Sequence, residues 1–229
     1  MADLRSQLAA NLSHVHARID VASRSVGRDP NDVSLIAVTK YAELPWIDGL
    51  CDLGVKDFGE NRPQQLAERQ ARWPQARWHL IGHLQRNKVK NVLGPAAMIH
   101  SVDSLRLAER ISELAGSPKP VLLEVNVSGE ASKDGFSPAT LRSEWDRLLG
   151  LPSLMIRGLM TMAPLSDDSE AARPVFAELR TLRDQLQLRS AGHASLDELS
   201  MGMSGDYEVA IQEGATLVRV GSRLFEGLT

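Results

Sequence analysis

Apolar residues recur along the start of the chain at Leu4, Leu8, Leu12, Val15, Ile19 and Ala22. Steps of three and four put them on one face of a helix. Gly27 supplies a stop and Pro30 a turn, so the pattern predicts a leading helix within residues 1–28 that packs on the rest of the chain. The period then changes. Val33 to Val38 is a short run interrupted by a single serine, as expected of a strand buried on both faces in a parallel sheet. Similar runs lie at 55–58, 77–81, 97–100, 120–127, 154–159, 198–201 and 216–220. Between them, 45–53, 62–72, 84–93, 101–114, 138–149, 170–188 and 206–213 read as helical, with Asp103 or Ser104 near the cap of the fourth.

A helix followed by about eight strand–helix units predicts an α/β fold, a (β/α)8 TIM barrel. No linker divides the chain, so residues 1–229 are expected to form one domain with the leading helix packed on the barrel. A doubly wound open sheet is the alternative, and it usually has fewer strands. The stretches 128–137 and 164–169 are expected to be mobile strand-to-helix loops.

Composition narrows the classes of function. With 43% hydrophobic residues, 24% charged and a net charge of −3, the chain can bury a core and has no bulk drive toward nucleic acid or anionic membrane. No apolar run approaches the roughly 20 residues of a membrane helix, and the polar amphipathic start is not a secretory signal. The lone Cys51 excludes an internal disulfide framework and a Cys-based zinc cluster. A soluble cytoplasmic protein is expected.

Barrels of this kind do their chemistry at the C-terminal ends of the strands. The polar residues there are Lys40, Asn61, His83, Asn126, Thr161, Ser204, Arg219 and Ser222. Lys40 follows a run of buried-type residues. A lysine sheltered from water loses part of its preference for the charged form, and its neutral amine attacks aldehydes to form a Schiff base. The plainer reading is a lysine that snorkels to solvent. Ser200 to Asp206 and Arg219 to Ser222 fill the two loops where barrels often hold phosphate. Gly202, Gly205 and Gly221 would admit backbone N–H groups to the anion, and Ser204 and Ser222 would add hydroxyls. Alternatively, the glycines make tight turns and the serines cap helices.

An aldehyde-reactive lysine facing a phosphate cup suggests pyridoxal 5′-phosphate (PLP). Arg219 would then lie by the pyridine ring. A fixed cation there disfavours protonation of the ring nitrogen and weakens the electron sink. The alternative for Arg219 is a salt-bridged barrel residue.

At this point a family resemblance is evident. Residues Leu35 to Lys40, Phe58-Gly59-Glu60-Asn61, Trp78 to Lys88, Val125-Asn126-Val127 with Lys133 to Phe136, Arg157 to Met162, Leu199 to Ser204 and Val218 to Ser222 resemble the pyridoxal phosphate homeostasis proteins. These in turn resemble the N-terminal barrel of alanine racemase. The resemblance implies that Lys40 carries PLP as a Schiff base. It implies that Ser204, Gly221 and Ser222 hold the phosphate, that Arg219 lies near the pyridine nitrogen and that Asn61 lies near the ring. It also implies a role in keeping free PLP low and supplying it to apo-PLP enzymes, which affects amino-acid and 2-oxo-acid pools. Ser222 stands where threonine is common, and Arg62 where an aromatic is often found.

The barrel is expected to use most of the chain. The racemase's second β domain, which helps dimerisation and supplies a tyrosine acid/base to the partner's site, would then have no counterpart. Only Tyr41 and Tyr207 are present, and Tyr41, as a strand neighbour of Lys40, is expected to point elsewhere. His83 is the best candidate for a second acid/base group, although a structural histidine is the plainer reading. The expectation is a monomeric PLP buffer without fast catalysis. A PLP-dependent amino-acid racemase, or a barrel for another phosphorylated metabolite with Lys40 as a plain contact, are the alternatives. His79 and His83 share i,i+4 spacing but straddle a strand end, so no metal is expected, and Arg86, Lys88 and Lys90 read as a solvated face.

Overall fold

The computed structural model describes residues 2–130, 133–190 and 192–228. The expected domain ends, Met1 and Thr229, lie outside the described residues, as do Ala131 and Ser132 in the expected loop 128–137. The chain runs α1 (Ala2–Ser25), β1 (Ser34–Val38), α2 (Leu44–Asp52), β2 (Asp57–Glu60), α3 (Pro63–Arg72), β3 (Arg77–Leu80), α4 (Lys90–Leu93) and β4 (Met98–Val102). It continues α5 (Leu105–Leu114), β5 (Lys119–Glu124), α6 (Pro138–Leu149), β6 (Leu154–Met160), α7 (Arg173–Arg189), β7 (Glu198–Ser200), α8 (Tyr207–Gln212) and β8 (Leu217–Val220). The strands are parallel and close in sequence order, with β8 returning to β1 through the pairs Ser34 to Leu217 and Ala37 to Val220. That closure makes the fold a (β/α)8 barrel and excludes the open sheet.

Both faces of the strands are buried, so their sequences read as almost unbroken apolar runs. Between strands and helices sit Trp78, Trp145, Phe58 and Phe176, all fully buried. Inside the barrel a separate apolar layer holds Ile36, Leu122, Met160 and Leu217, with Met98 against it. The β5–β6 register slips by one residue beside Gly158, whose φ of +155° suits glycine. A Cβ there would fall 1.8 Å from the Glu198 carbonyl, so β6 and β7 close only over a hydrogen.

The apolar face expected of the first helix is buried: Leu8, Leu12, Val15, Ile19 and Ala22 pack into the core. α1 lies against α2, α8 and the 3-10 turn Ser222–Phe225. Asn11 Nδ2 donates to the carbonyls of Leu224 at 3.0 Å and Glu226 at 2.9 Å, which ties the first helix to the end of the chain. Gly27, at φ +72°, lies just past the helix end, as expected.

One predicted helix is shorter than its composition implied. Residues 84–93 form a 3-10 turn, Arg86–Lys88, and the single turn α4. Leu84, Val89 and Val92 are the buried positions, a spacing too irregular for a helical stripe, and Gly94-Pro95 ends the segment. Arg86, Lys88 and Lys90 are exposed, as expected of a solvated face. Among the described residues, no helix is long and apolar enough to cross a membrane.

Candidate functional site

A cavity of about 680 Å³ opens at the C-terminal ends of the strands. The structure brings Lys40, Asn61, Ser204, Arg219, Gly221 and Ser222 together on its wall. They arrive from β1, β2, β7 and β8, elements far apart in sequence.

Lys40 is presented by a braced turn. Thr39 donates its N–H to Gly59 at 3.1 Å and its hydroxyl to Glu60 Oε1 at 2.5 Å. From α3, Arg69 donates to the carbonyls of Thr39 at 2.6 Å and Ala42 at 3.2 Å, on either side of Lys40-Tyr41. Arg69 is also paired with Glu60, which is fully buried. Burial raises the Glu60 carboxyl above its ordinary value, with Thr39 and Arg69 pulling the other way.

The sheltered lysine expected from the sequence is not found. β1 stops at Val38, so Lys40 sits in the turn beyond it and is exposed at the cavity mouth. The strand argument for Tyr41 fails for the same reason. Tyr41 lines the same cavity, with its ring centroid 5.1 Å from Lys40 Nζ, a cation–π contact.

The buried cation of the site is Arg219, only 4% exposed. It donates to Ser200 Oγ at 2.6 Å and to the Thr161 carbonyl at 2.9 Å. These hydrogen-bond partners are uncharged, unlike those of the salt-bridged residue considered from the sequence. Burial lowers its guanidinium to about 10, with Asp206 and Glu124 opposing the drop.

The two closing loops meet beside it. Gly221 N–H donates to Ser204 Oγ at 3.2 Å, and Met203 N–H donates to Asp206 Oδ1 at 2.6 Å. Gly202 turns the first loop at φ +91°, where a Cβ would come within 2.8 Å of Tyr207 Cα. A Cβ on Gly221 would come within 3.2 Å of the Val38 carbonyl. Gly221 leads into the four-residue 3-10 turn rather than into a long helix. So short a turn has little helix dipole, and what the two loops present to the cavity are individual N–H and O–H groups. Trp46 stacks on Phe225 at 5.4 Å, and both border the cavity.

Other strand-end residues serve elsewhere. Asn126 Nδ2 donates to the carbonyls of Glu130 and Lys133, organising the loop after β5. Thr161 donates its hydroxyl to the Val125 carbonyl at 2.7 Å and offers its own carbonyl to Arg219. His83 Nδ1 lies 3.3 Å from Asp103 and 3.1 Å from Asp134, which supports the structural reading over an acid/base role. His79, by contrast, is buried inside the barrel, so the two histidines do not act as a pair. Arg62 borders a neighbouring groove with His83 rather than the Lys40 cavity.

Sequence reasoning passed over Trp46, which lines the cavity, and the buried Glu124 at the end of β5, and it gave Asp206 and Met162, also on the cavity wall, no role in a site. Glu124 was detectable. It stands two residues after the interior-facing Leu122, a lone charge in the run Val121 to Val125. Burial, then the charges of Asp103 and Asp134, pushes its carboxyl up to about 7.

The fold and the placement of these side chains define a barrel of the alanine racemase type, and the family model of the alanine racemase N-terminal domain matches residues 10–228. The "Pyridoxal phosphate homeostasis protein" of Aquifex aeolicus is 41% identical over 219 residues, covering 93% of this chain and 95% of that one. The chain belongs to the pyridoxal phosphate homeostasis protein family. PipY of Synechococcus elongatus, solved with PLP bound, is 39% identical, with a TM-score of 0.80 over 92% of this chain and 99% of that one. An alanine racemase of Clostridium difficile shares the fold at 18% identity, with a TM-score of 0.73 over 96% of this chain and 56% of that one.

Proposed function

We propose that this protein binds PLP covalently, as a Schiff base on Lys40, and keeps it available to apo-PLP enzymes without fast turnover. In this reading it works as a single-domain monomer in the cytoplasm. The observation that carries the proposal is the convergence of one amine, one buried cation and a cluster of small-residue donors on one cavity. PipY, 39% identical, was solved with PLP bound, and the related family members are named for PLP homeostasis.

The residues present fit such a ligand. Ser204 and Ser222 offer hydroxyls, and the Gly221 N–H donates to Ser204 Oγ, which leaves the Ser204 hydroxyl hydrogen to turn toward a phosphate ester. A side chain at Gly221 would crowd Val38 at the point where that anion would approach. Lys40 Nζ is the amine for condensation with an aldehyde, with loss of water. Asn61 is assigned to the ring edge. Arg219 would face the pyridine nitrogen as a permanent donor, which keeps that nitrogen unprotonated. PLP supplies an electrophilic aldehyde and an electron sink, and the second is weakened by a guanidinium partner. Tyr41 lies beside Lys40 rather than across from it, so it is poorly placed as the opposite-face acid of a racemase.

Addition of PLP should produce an imine absorbance that Lys40→Ala abolishes. Borohydride should then fix one pyridoxyl group on Lys40, read by peptide mass spectrometry. A colourless protein, or label on another residue, would overturn the reading. Rapid Lys40-dependent exchange of the α-proton of alanine or serine in deuterated water would replace it with a racemase.

A further inference from the structure

Behind Arg219, a line of hydrogen bonds crosses the inside of the barrel. Ser200 Oγ, which accepts from Arg219, lies 2.9 Å from His100 Nδ1. His100 Nε2 lies 3.0 Å from His79 Nδ1, and His79 Nε2 lies 3.0 Å from Asp57 Oδ1. Asp57 is the first residue of β2, at the opposite end of the barrel from the cavity, and it is also paired with the exposed Arg77. His100 and Ser200 are fully buried, and His79 is 6% exposed.

The direction of the bonds can be followed from the two ends of the line. A guanidinium can only donate, so Ser200 Oγ accepts from Arg219. An ionised carboxylate can only accept, so His79 Nε2 carries a hydrogen toward Asp57. Burial would raise the Asp57 carboxyl, but hydrogen bonds from His79 and Arg77 outweigh it and hold the group below its ordinary value. Burial also keeps His100 neutral, its imidazole pushed well below the usual value, with His79 and Arg219 adding to the effect. Where His79 carries a single hydrogen, on Nε2, its Nδ1 accepts. His100 Nε2 therefore donates, His100 Nδ1 accepts, and the Ser200 hydroxyl hydrogen points at His100. The resulting order is Arg219 to Ser200 to His100 to His79 to Asp57, and it is set from the Asp57 end, because Ser200 Oγ, with two lone pairs, accepts from Arg219 in either orientation.

We propose that this one-way relay locks both histidines as Nε2–H tautomers and makes Ser200, His100, His79 and Asp57 positioning residues for the Arg219 guanidinium. Because the Ser200 hydrogen is committed to His100, its lone pairs stay turned toward Arg219. With the Thr161 carbonyl, this fixes two of the five guanidinium N–H groups and leaves the others for the cavity. The orientation of the site's buried cation is thus set from Asp57, on the far face of the barrel. Its relevance to bound PLP rests on the function proposed above. The tautomers do not.

The test begins with native, PLP-free protein labelled with 15N on its histidines. Long-range proton–nitrogen spectra at pH 7.5 should report Nε2–H for both His79 and His100, assigned with His79→Gln and His100→Gln. A hydrogen on His100 Nδ1, or a doubly protonated His79, would overturn the relay without any variant having to fold. Asp57→Ala should leave His100 a mixture of tautomers, whereas Asp57→Asn, which still accepts through Oδ1, should preserve the native pattern. In PLP titrations followed by absorbance, Ser200→Ala should weaken binding at least about tenfold and shift the absorbance maximum, and Ser200→Thr should restore both. Native tautomers in Asp57→Ala, or native affinity and spectrum in Ser200→Ala, would refute the positioning role. Failure of the native protein to take up PLP would refute the function instead, while the tautomer spectra still decide the relay.

Discussion

Arg69 is the clamp through which α3 grips the turn that carries Lys40, and its removal gives a sharp quantitative expectation. Arg69→Met keeps much of the stem's packing but deletes the guanidinium. Glu60, with no exposed surface, loses its cation, and the carbonyls of Thr39 and Ala42 lose a donor each. Breaking a buried ion pair from one side costs about 3–5 kcal/mol. In a chain of this size, each kcal/mol lowers the melting temperature by about 2–4 °C, so the fall should be at least about 6 °C. The pH dependence has a definite sign. Glu60 is already raised by burial, and losing Arg69 raises it further. An acid whose folded value lies above its unfolded one loses stability as pH climbs from the unfolded value through the folded one. The deficit of Arg69→Met should therefore be largest at pH 8 and shrink toward pH 4, measured as the shift in urea midpoint at constant slope. Adding Glu60→Gln removes the stranded charge and should recover most of the loss. A deficit below about 1 kcal/mol at pH 8, or no recovery in the double variant, would refute the argument.

Three further outcomes are expected. Glu124, held at about 7, makes the native protein lose stability as pH rises from about 4.5 to 7, by about 3 kcal/mol. Glu124→Gln should flatten that slope and exceed the native protein in urea resistance at pH 8, and identical pH profiles would contradict this. Gly158→Ala places a methyl 1.8 Å from the Glu198 carbonyl, so thermal melts should register a loss above about 4 kcal/mol, and a native-like melt would rule out the close β6–β7 approach. Ser204→Ala and Ser222→Ala should each weaken PLP binding about tenfold in spectroscopic titrations while borohydride still labels Lys40, and an unchanged affinity would remove that hydroxyl from the phosphate site.

The barrel was readable because each strand is buried on both faces, which leaves short apolar runs such as Leu35 to Val38 and Val121 to Leu123. Helix 84–93 was overestimated because composition registers helix-forming residues but not whether Leu84, Val89 and Val92 share a face. Lys40, Ser204 and Arg219 were legible as polar residues at strand ends. The state of Lys40 was not, since shelter depends on where β1 stops, and a two-residue turn after Val38 puts the amine at the rim. The line from Asp57 to Arg219 was beyond reach for another reason. His79, His100 and Ser200 each look like an isolated polar residue in a strand, and only barrel closure aligns them.

Pairing of the first strand with the last has a bearing on synthesis. Lys40 is made well before Gly221 and Ser222, which lie across the β1–β8 seam. Until β8 has been made, a nascent chain has Lys40 with neither Gly221 nor Ser222 beside it. Docking of β8 on β1, with the segment after it held by Asn11 through Leu224 and Glu226, brings the two sides of the cavity together. On the function proposed above, products cut short before β8 should therefore be unable to sequester PLP, and cofactor uptake would be a certificate that the ring of strands has shut.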